Sequence, residues 1–176
     1  DERPQLEACA DERFPVVGVG GGAGGLAAFA EILECLPADL GAALVYVAAA
    51  GGREDDAAAL PTGRAAMPVV AVATATRLAP NHVYVAPPGL RLTLADHVLT
   101  AAPPDEADGP PIDRLFAALA NDCQNCAIGL ILSGAGADGV LGLREIKGVG
   151  GITIVQDPET ARHQGMARAA LAAGIV

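Results

Sequence analysis

The chain has 176 residues, of which 52% are hydrophobic and 18% are charged. That much apolar surface suits one folded domain of ordinary size and excludes an intrinsically disordered chain. Asp and Glu outnumber Lys and Arg by 21 to 11, and the net charge of −10 disfavours binding to the negative backbone of nucleic acids. No apolar run reaches the roughly 20 residues that span a bilayer, so we expect no membrane insertion. Four cysteines in 176 residues do not suggest a secreted disulfide scaffold, so we expect a cytoplasmic location with reduced thiols.

The first half of the chain predicts strands that alternate with helices. Residues 1–15 are polar, lack a sustained period and predict a linker or tail, which leaves 16–176 as the folded domain. A buried strand over Val16–Val19 precedes a helix over Leu26–Leu33, which Pro37 ends. The next predicted elements are strand Ala43–Val47, short helix Asp55–Leu60, strand Met67–Val72, a turn at Ala79–Asn81 and strand Val83–Ala86.

The second half begins with a β-hairpin and continues in the same alternation. Its predicted elements are hairpin strands Leu92–Leu94 and Val98–Thr100, loop Pro103–Gly109, helix Ile112–Asn121 opened by Pro111, strand Ala127–Leu132, helix Val140–Lys147, strand Gly151–Val155 and helix His163–Ala173. The alternation indicates an α/β fold: a doubly wound, mostly parallel sheet flanked by helices, with an antiparallel β-hairpin. We expect the strands that begin at residues 16, 43, 127 and 151 to share this sheet. The loops Gly20–Gly25 and Ser133–Asp138 then lie at its carboxyl edge.

Glycines crowd the turn between the first strand and the first helix. Gly20-x-Gly22-x-x-Gly25 matches a dinucleotide fingerprint, in which backbone N–H groups and a helix N-terminus hold a pyrophosphate. That fingerprint also requires an acidic residue at the end of the second strand, where no carboxylate precedes Glu54. A tight turn of small residues that lets the helix approach the sheet is the simpler interpretation, and both stay open.

Several segments resemble one family when they are taken together and in order. They are Val17–Gly25, Leu36–Asp39, Leu44–Val47, Pro80–Gly89, Pro111–Phe116, Leu132–Leu143 with its Gly-x-Gly-x-Asp-Gly core, Gly150–Asp157 and Gly165–Arg168. Over nearly all of Val16–Val176 they resemble the chemotaxis protein-glutamate methylesterases, the CheB-type effector domain. The segment Asn-His-Val-Tyr-Val-x-Pro-Pro-Gly is especially similar to fused methylesterase–methyltransferase signalling proteins.

The resemblance implies hydrolysis of glutamate γ-methyl esters on chemoreceptors by a Ser–His–Asp triad. The family's serine corresponds to Gly22, its histidine to Ala49 and its aspartate to Asp138. With nucleophile and base missing, we expect a catalytically deficient domain that binds a chemoreceptor or signalling partner, or positions an adjacent methyltransferase module. The alternatives are an active methylesterase that uses other residues and a nucleotide-binding module built on Gly20–Gly25. Enzyme status is therefore open, and no cofactor or metal is implied.

Two expectations concern the triad positions themselves. Gly22 and Ala49 should approach each other, because the reacting side chains of one triad lie within hydrogen-bond distance. Asp138 is expected to cap the helix that begins near Gly139, since a carboxylate there accepts bonds from the first amides and favours the positive helix end. Such a cap explains the retention of Asp138 without catalysis.

The remaining polar side chains receive structural interpretations. Ser133, the only serine, is expected to bind backbone groups of its loop, and none of the histidines His82, His97 and His163 occupies the base position. His97 is expected to be exposed at a hairpin tip. The CxxC over residues 123–126 closes a helix rather than opening one, which predicts two buried cysteines rather than a redox or zinc motif. Cys35 is expected in the core.

Overall fold

The computed structural model describes residues 13–51, 63–72, 74–87, 89–105 and 107–176. Its strands are β1 (Val16–Gly21), β2 (Ala43–Ala48), β3 (Val69–Ala71), β4 (Thr76–Arg77), β5 (His82–Val85), β6 (Arg91–Ala95), β7 (Val98–Ala102), β8 (Ala127–Ile131) and β9 (Ile152–Val155). Its α-helices are α1 (Gly25–Cys35), α2 (Pro111–Cys123), α3 (Val140–Gly148) and α4 (Gly165–Ala172), with 3₁₀ turns at Gln124–Cys126 and Pro158–Thr160. The predicted helix Asp55–Leu60 lies outside the described residues.

Six strands form one parallel sheet in the order β3-β5-β2-β1-β8-β9. Val16 of β1 is in register with Ala43 of β2 on one side and with Ala127 of β8 on the other. A second, antiparallel sheet has the order β4-β7-β6. The predicted α/β class, the shared parallel sheet and the antiparallel hairpin are therefore confirmed, while the short strand β4 was not foreseen.

Helices cover both faces of the parallel sheet. On one face, α2 and α3 bury a core that includes Leu115, Phe116 and Ile146, and on the other face α1 buries Phe29 and Leu33. Glycine within β1 allows α2 to lie close, since a Cβ at Gly18 would stand 2.9 Å from Phe116 Cε1. Within the described part of the chain, no helix is both long and apolar enough to cross a membrane.

Three predicted positions differ from the structure for local reasons. The strand predicted over Met67–Val72 is limited to Val69–Ala71, consistent with Pro68, which has no N–H for a ladder. The last helix begins at Gly165 rather than His163, because the amide and carbonyl of His163 bind a neighbouring loop instead of continuing a helix. Cys35 is exposed rather than buried in the core, because it stands at the last turn of α1.

Candidate functional site

Three loops meet at the carboxyl edge of the parallel sheet. The amide of Gly22, after β1, donates to the carbonyl of Ser133, after β8, at 2.8 Å. The amide of Gly134 in turn donates to the carbonyl of His163 at 3.0 Å, and Met166 N donates to Gly134 O at 2.9 Å. The glycine loop and the Ser133–Asp138 loop thus lie at the same edge, as the sequence predicted.

Ser133 holds these three loops together. Its side chain is almost fully buried, with 1% of the residue exposed. The hydroxyl Oγ donates to the carbonyl of Ala23 at 2.8 Å and accepts from the amide of His163 at 3.0 Å, while its own amide donates to Gln156 Oε1 at 2.9 Å. The prediction that Ser133 binds backbone groups is confirmed, but the prediction that these belong to its own loop is wrong, because Ala23 and His163 lie 110 and 30 positions away.

The sheet register brings Gly22 and Ala49 together. Gly21 pairs with Ala48, and Ala49 N donates to Gly21 O at 2.8 Å, so positions 22 and 49 each follow the last paired residue of adjacent strands. Adjacent strands lie about 4.8 Å apart, which supports the expected approach of the two positions. A Cβ added at Gly22 would stand 2.9 Å from the Cα of Gly134, closer than side chains normally come to a backbone.

Asp138 caps a helix, but not the helix that the sequence indicated. Its Oδ1 accepts from Asp113 N at 2.9 Å and its Oδ2 from Ile112 N at 3.2 Å, both in the first turn of α2. The N-cap of α3 is Gly139, which offers no side chain, so the prediction that Asp138 caps that helix is wrong, although the Gly139 amide also binds the Asp138 carboxyl and lowers its pKa. The reason lies at the start of α2, where Pro110 is the N-cap and Pro111 is the first helical residue. Neither proline has an N–H or a capping side chain, so the amides that follow need an acceptor from elsewhere in the chain.

A carboxylate at the start of each helix accepts backbone amides from the other helix. Asp113 of α2 accepts the amide of Gly142, in the first turn of α3, at 2.8 Å. Burial raises the pKa of Asp138, and the negative Asp113 raises that pKa further, against the lowering effect of the amides that Asp138 binds. A Cβ at Gly20 of β1 would stand 3.0 Å from Ile112 Cδ1, so this pair of helix starts adjoins the loop that carries Gly22.

The packing of the glycine loop favours the tight-turn interpretation. A Cβ at Gly24, which has φ 81°, would stand 3.0 Å from Ser133 Oγ and 3.0 Å from Arg162 Cβ. A Cβ at Gly25 would stand 3.0 Å from the Ser133 carbonyl oxygen. Protein atoms therefore lie against the N-terminus of α1, where a dinucleotide fingerprint places its pyrophosphate.

The three histidines and the two cysteines of the CxxC make contacts of their own, which the structure shows one by one. His82 Nδ1 is 2.9 Å from Pro80 O, and His163 is exposed, with its backbone bound to the Ser133 loop. His97 is only partly exposed, and its Nδ1 lies 3.0 Å from Asp122 Oδ2. Both cysteines of the CxxC are buried, as predicted, and burial raises the pKa of the free Cys123 thiol to about 12, far from that of a redox thiolate.

Comparison with known proteins supports the architecture and gives the family. The CheB methylesterase family profile matches residues 17–176. A protein-glutamate methylesterase/protein-glutamine glutaminase of Chromohalobacter salexigens is 34% identical over 165 residues, which is 90% of this chain and 47% of the relative. The corresponding protein of Bordetella pertussis is 36% identical over 163 residues, covering 89% of this chain and 47% of the relative.

Two further similarities concern context and fold. An uncharacterized 104.1 kDa protein from the hypE 3′ region of Rhodobacter capsulatus is 39% identical over 111 residues, 62% of this chain and 12% of that protein. The Thermotoga maritima CheB methylesterase catalytic domain superposes with a TM-score of 0.80 at 24% identity, covering 93% of this chain and 90% of that domain. The chain spans about half the length of the curated methylesterases it matches. On the profile match and these relatives, the chain belongs to the CheB methylesterase family.

Proposed function

We propose that this domain is a catalytically deficient member of its family and serves as a regulatory, partner-binding module in chemotaxis-type signalling. The observation that carries the proposal is the pair of residues at the ends of β1 and β2. The positions that correspond to the family's nucleophile and base hold Gly22 and Ala49, which offer neither an oxygen nucleophile nor an imidazole. Ser–His–Asp hydrolysis requires both groups.

The serine at this edge supports the same conclusion. Ser133 Oγ donates to one backbone carbonyl and accepts from one backbone amide, and the residue is buried. To attack an ester, this hydroxyl would have to leave both partners and reach solvent. In serine proteases, loss of the triad lowers turnover by roughly 10⁶, and binding groups alone retain about 10³ over water.

The retained aspartate has a structural use that does not depend on catalysis. Asp138 supplies the carboxylate that the first two free amides of α2 require. These two hydrogen bonds stabilise the start of α2 whether or not the domain hydrolyses esters. The retention of Asp138 is therefore no argument for activity.

We assign the partner by chemistry and by context. The negative charge of −10 disfavours nucleic acid, and the family's substrates point to a cytoplasmic chemoreceptor or signalling protein. The Rhodobacter capsulatus relative, of which the matched segment is 12%, supports a domain that operates beside others in one long chain. An adjacent methyltransferase module is the neighbour we propose.

The test measures binding and hydrolysis in one mixture. Purified protein is titrated into a cytoplasmic chemoreceptor fragment carrying glutamate methyl esters, with methanol release followed by enzymatic detection and complex formation by fluorescence anisotropy. We expect saturable binding with methanol release at the rate of buffer alone, while a family member that carries the serine releases methanol. Release above buffer that Ser133→Ala abolishes would establish the active methylesterase instead. Absence of binding to the receptor fragment and to a methyltransferase module would remove the partner-binding role.

The nucleotide-binding alternative has its own readout. A ligand that binds only the folded state raises the unfolding midpoint. We expect NAD or NADP to leave the midpoint unchanged, because protein atoms lie against the N-terminus of α1. A concentration-dependent rise would favour that alternative.

A further inference from the structure

A cluster of three different metal-ligating side chains lies at the C-terminal end of α2, remote from the first turn that Asp138 caps. His97 comes from the turn between β6 and β7, and Asp122 and Cys123 come from the last turn of α2. Their ligand atoms all lie within 4.8 Å of one another. His97 Nδ1 is 3.0 Å from Asp122 Oδ2, and Cys123 Sγ is 3.9 Å from the same oxygen.

The cluster is sheltered from solvent. The side chains of His97 and Asp122 are 20% and 11% exposed, and Cys123 is 1% exposed. Three polar atoms of different kinds thus converge where few waters reach. The ligand groups are therefore largely desolvated before an ion enters.

The hairpin turn holds His97 in place through contacts other than its ring nitrogens. The His97 amide donates to Asp122 Oδ2 at 3.0 Å, and its carbonyl accepts from Leu78 N at 2.8 Å. Phe14 contacts the imidazole edge to face, with ring centroids 5.6 Å apart. The ring is therefore already oriented toward the carboxylate and the thiol.

The ligand set and its spacing suit zinc. Imidazole nitrogen, carboxylate oxygen and thiolate sulfur bind zinc at about 2.0–2.3 Å, which separates the ligands of a tetrahedral ion by about 3.3–3.8 Å. The separations from Asp122 Oδ2, 3.0 Å to His97 Nδ1 and 3.9 Å to Cys123 Sγ, lie within a few tenths of an ångström of that range, and His97 and Cys123 lie within 4.8 Å of each other. The thiolate and the carboxylate together balance the two charges of the ion, and the fourth position is left for water.

We propose that His97, Asp122 and Cys123 form a binding site for a zinc-type divalent cation that ties the β6–β7 hairpin to the end of α2. On binding, the Cys123 thiol gives its proton to solvent, and His97 binds through the lone pair of Nδ1 with its ring proton on Nε2. Arg13 is the opposing cation, since its positive charge acts on the Cys123 thiol. The proposal is independent of the catalytic state of the sheet edge.

Cobalt titration of the full chain under reducing conditions tests the site. Co²⁺ replaces zinc in such sites, and a thiolate ligand produces a sulfur-to-cobalt charge-transfer band in the near ultraviolet. We expect one equivalent of Co²⁺ to develop this band and Zn²⁺ to displace it. Cys123→Ala should abolish the band, whereas Cys35→Ala, which removes an exposed free thiol, should leave it unchanged.

Two further variants keep the test decisive if Cys123→Ala does not fold. His97→Asn preserves the turn, because asparagine tolerates the φ of 59° found at this position, and it should weaken Co²⁺ binding at least tenfold. Arg13→Gln removes the opposing charge and should strengthen binding. Absence of the band in folded wild type, or a band unchanged in both Cys123→Ala and His97→Asn, would show a network of structural hydrogen bonds and overturn the proposal.

Discussion

Single polar residues at the sheet edge each satisfy two backbone groups from other parts of the chain. Ser133 serves Ala23 and His163, and Asp138 serves Ile112 and Asp113. Buried backbone groups that lose such partners retain the full penalty of desolvation. The stability of the edge therefore depends on few side chains, which substitutions test directly.

Removal of the Ser133 hydroxyl should destabilise the domain. Ser133→Ala leaves the Ala23 carbonyl and the His163 amide without their partner, and we expect a loss of about 1–3 kcal/mol in the free energy of unfolding. Thr93→Ala is the matched control, because Thr93 is exposed and its hydroxyl makes only a 3.5 Å contact. Urea unfolding at neutral pH measures both variants, and equal stability of the two would contradict the assigned role of Ser133.

Substitution of Asp138 tests whether its carboxylate stabilises the start of α2. Asp138→Ala removes both acceptors from the start of α2 and should cost about 0.5–2 kcal/mol, the usual loss of an N-cap. Asp138→Asn keeps one acceptor oxygen and removes the repulsion from Asp113, so its loss should be smaller. Urea unfolding distinguishes the two, and an alanine variant as stable as wild type would remove the capping role.

The carboxyl of Asp138 also predicts a pH dependence. Burial, the largest cause, raises its pKa above the ordinary carboxyl value, and Asp113 adds to the rise. The folded state then binds this proton more tightly than the unfolded state. The stability contributed by Asp138 is therefore full below the ordinary carboxyl pKa and is lost as the pH rises through the raised pKa.

Paired unfolding curves measure this effect. We expect the free energy of unfolding of wild type, relative to Asp138→Asn, to fall as the pH rises from the ordinary carboxyl range and to level off above the raised pKa. The two proteins differ at this one carboxyl, so other titrating groups largely cancel. A difference that grows with rising pH would contradict the direction assigned to Asp138.

At the scale of elements, helices α2 and α3 are joined at their starts by close backbone approach. A Cβ at Gly142 would stand 2.5 Å from Phe116 Cβ and 2.8 Å from the Asp113 carbonyl oxygen. Gly142→Ala should therefore destabilise by about 1–3 kcal/mol, despite the better helix propensity of alanine. Thermal or urea unfolding provides the measurement.

Gly148→Ala, on the same helix, is the control for this substitution. Nothing lies within 4 Å of the Cβ that alanine would add at Gly148. It should be neutral or stabilise by up to about 1 kcal/mol, as helix propensity alone dictates. If Gly142→Ala behaved like Gly148→Ala, the close approach of the two helices would not be a constraint.

Local patterns predicted the elements better than they predicted contacts between elements. Apolar periodicity and proline positions located α1, β1 and β8 within a few residues, because each pattern is set by the element's own burial. Sequence proximity predicts that Asp138 caps α3, which it adjoins, but the packing of the two helices brings its carboxylate to the start of α2. The start of α4 was placed too early for the same reason, since Ser133 binds His163 from another loop.

At the scale of the whole molecule, the order of motifs along the chain predicts which loops share the carboxyl edge of the sheet. Gly22 and Ala49 are 27 positions apart in sequence, and the parallel register of β1 and β2 places both at the strand ends. The role of Ser133 as a tie for three loops could not be derived, because it depends on the meeting of segments more than 100 residues apart. The cluster of His97, Asp122 and Cys123 likewise exists only in the folded chain.

Installing a serine side chain at position 22 should strain the folded domain. A Cβ there meets the Gly134 backbone at 2.9 Å, so we expect Gly22→Ser to lower the free energy of unfolding by about 1–3 kcal/mol. Gly109→Ser is the control, since Gly109 has open space around its added Cβ. Equal stability of Gly22→Ser and Gly109→Ser would show that the sheet edge has space for a side chain at position 22. The double variant Gly22→Ser with Ala49→His would then be a reasonable route to restored hydrolysis.

The claim that this family member lacks a reacting side chain is tested most directly by a serine-directed fluorophosphonate probe read by intact-mass spectrometry. Ser133 is the only serine, so any serine adduct is assigned to it without further mapping. We predict no adduct on the folded protein under conditions in which a family member carrying the serine is fully labelled. A stoichiometric adduct on Ser133, absent from Ser133→Ala, would contradict the claim and identify a working nucleophile.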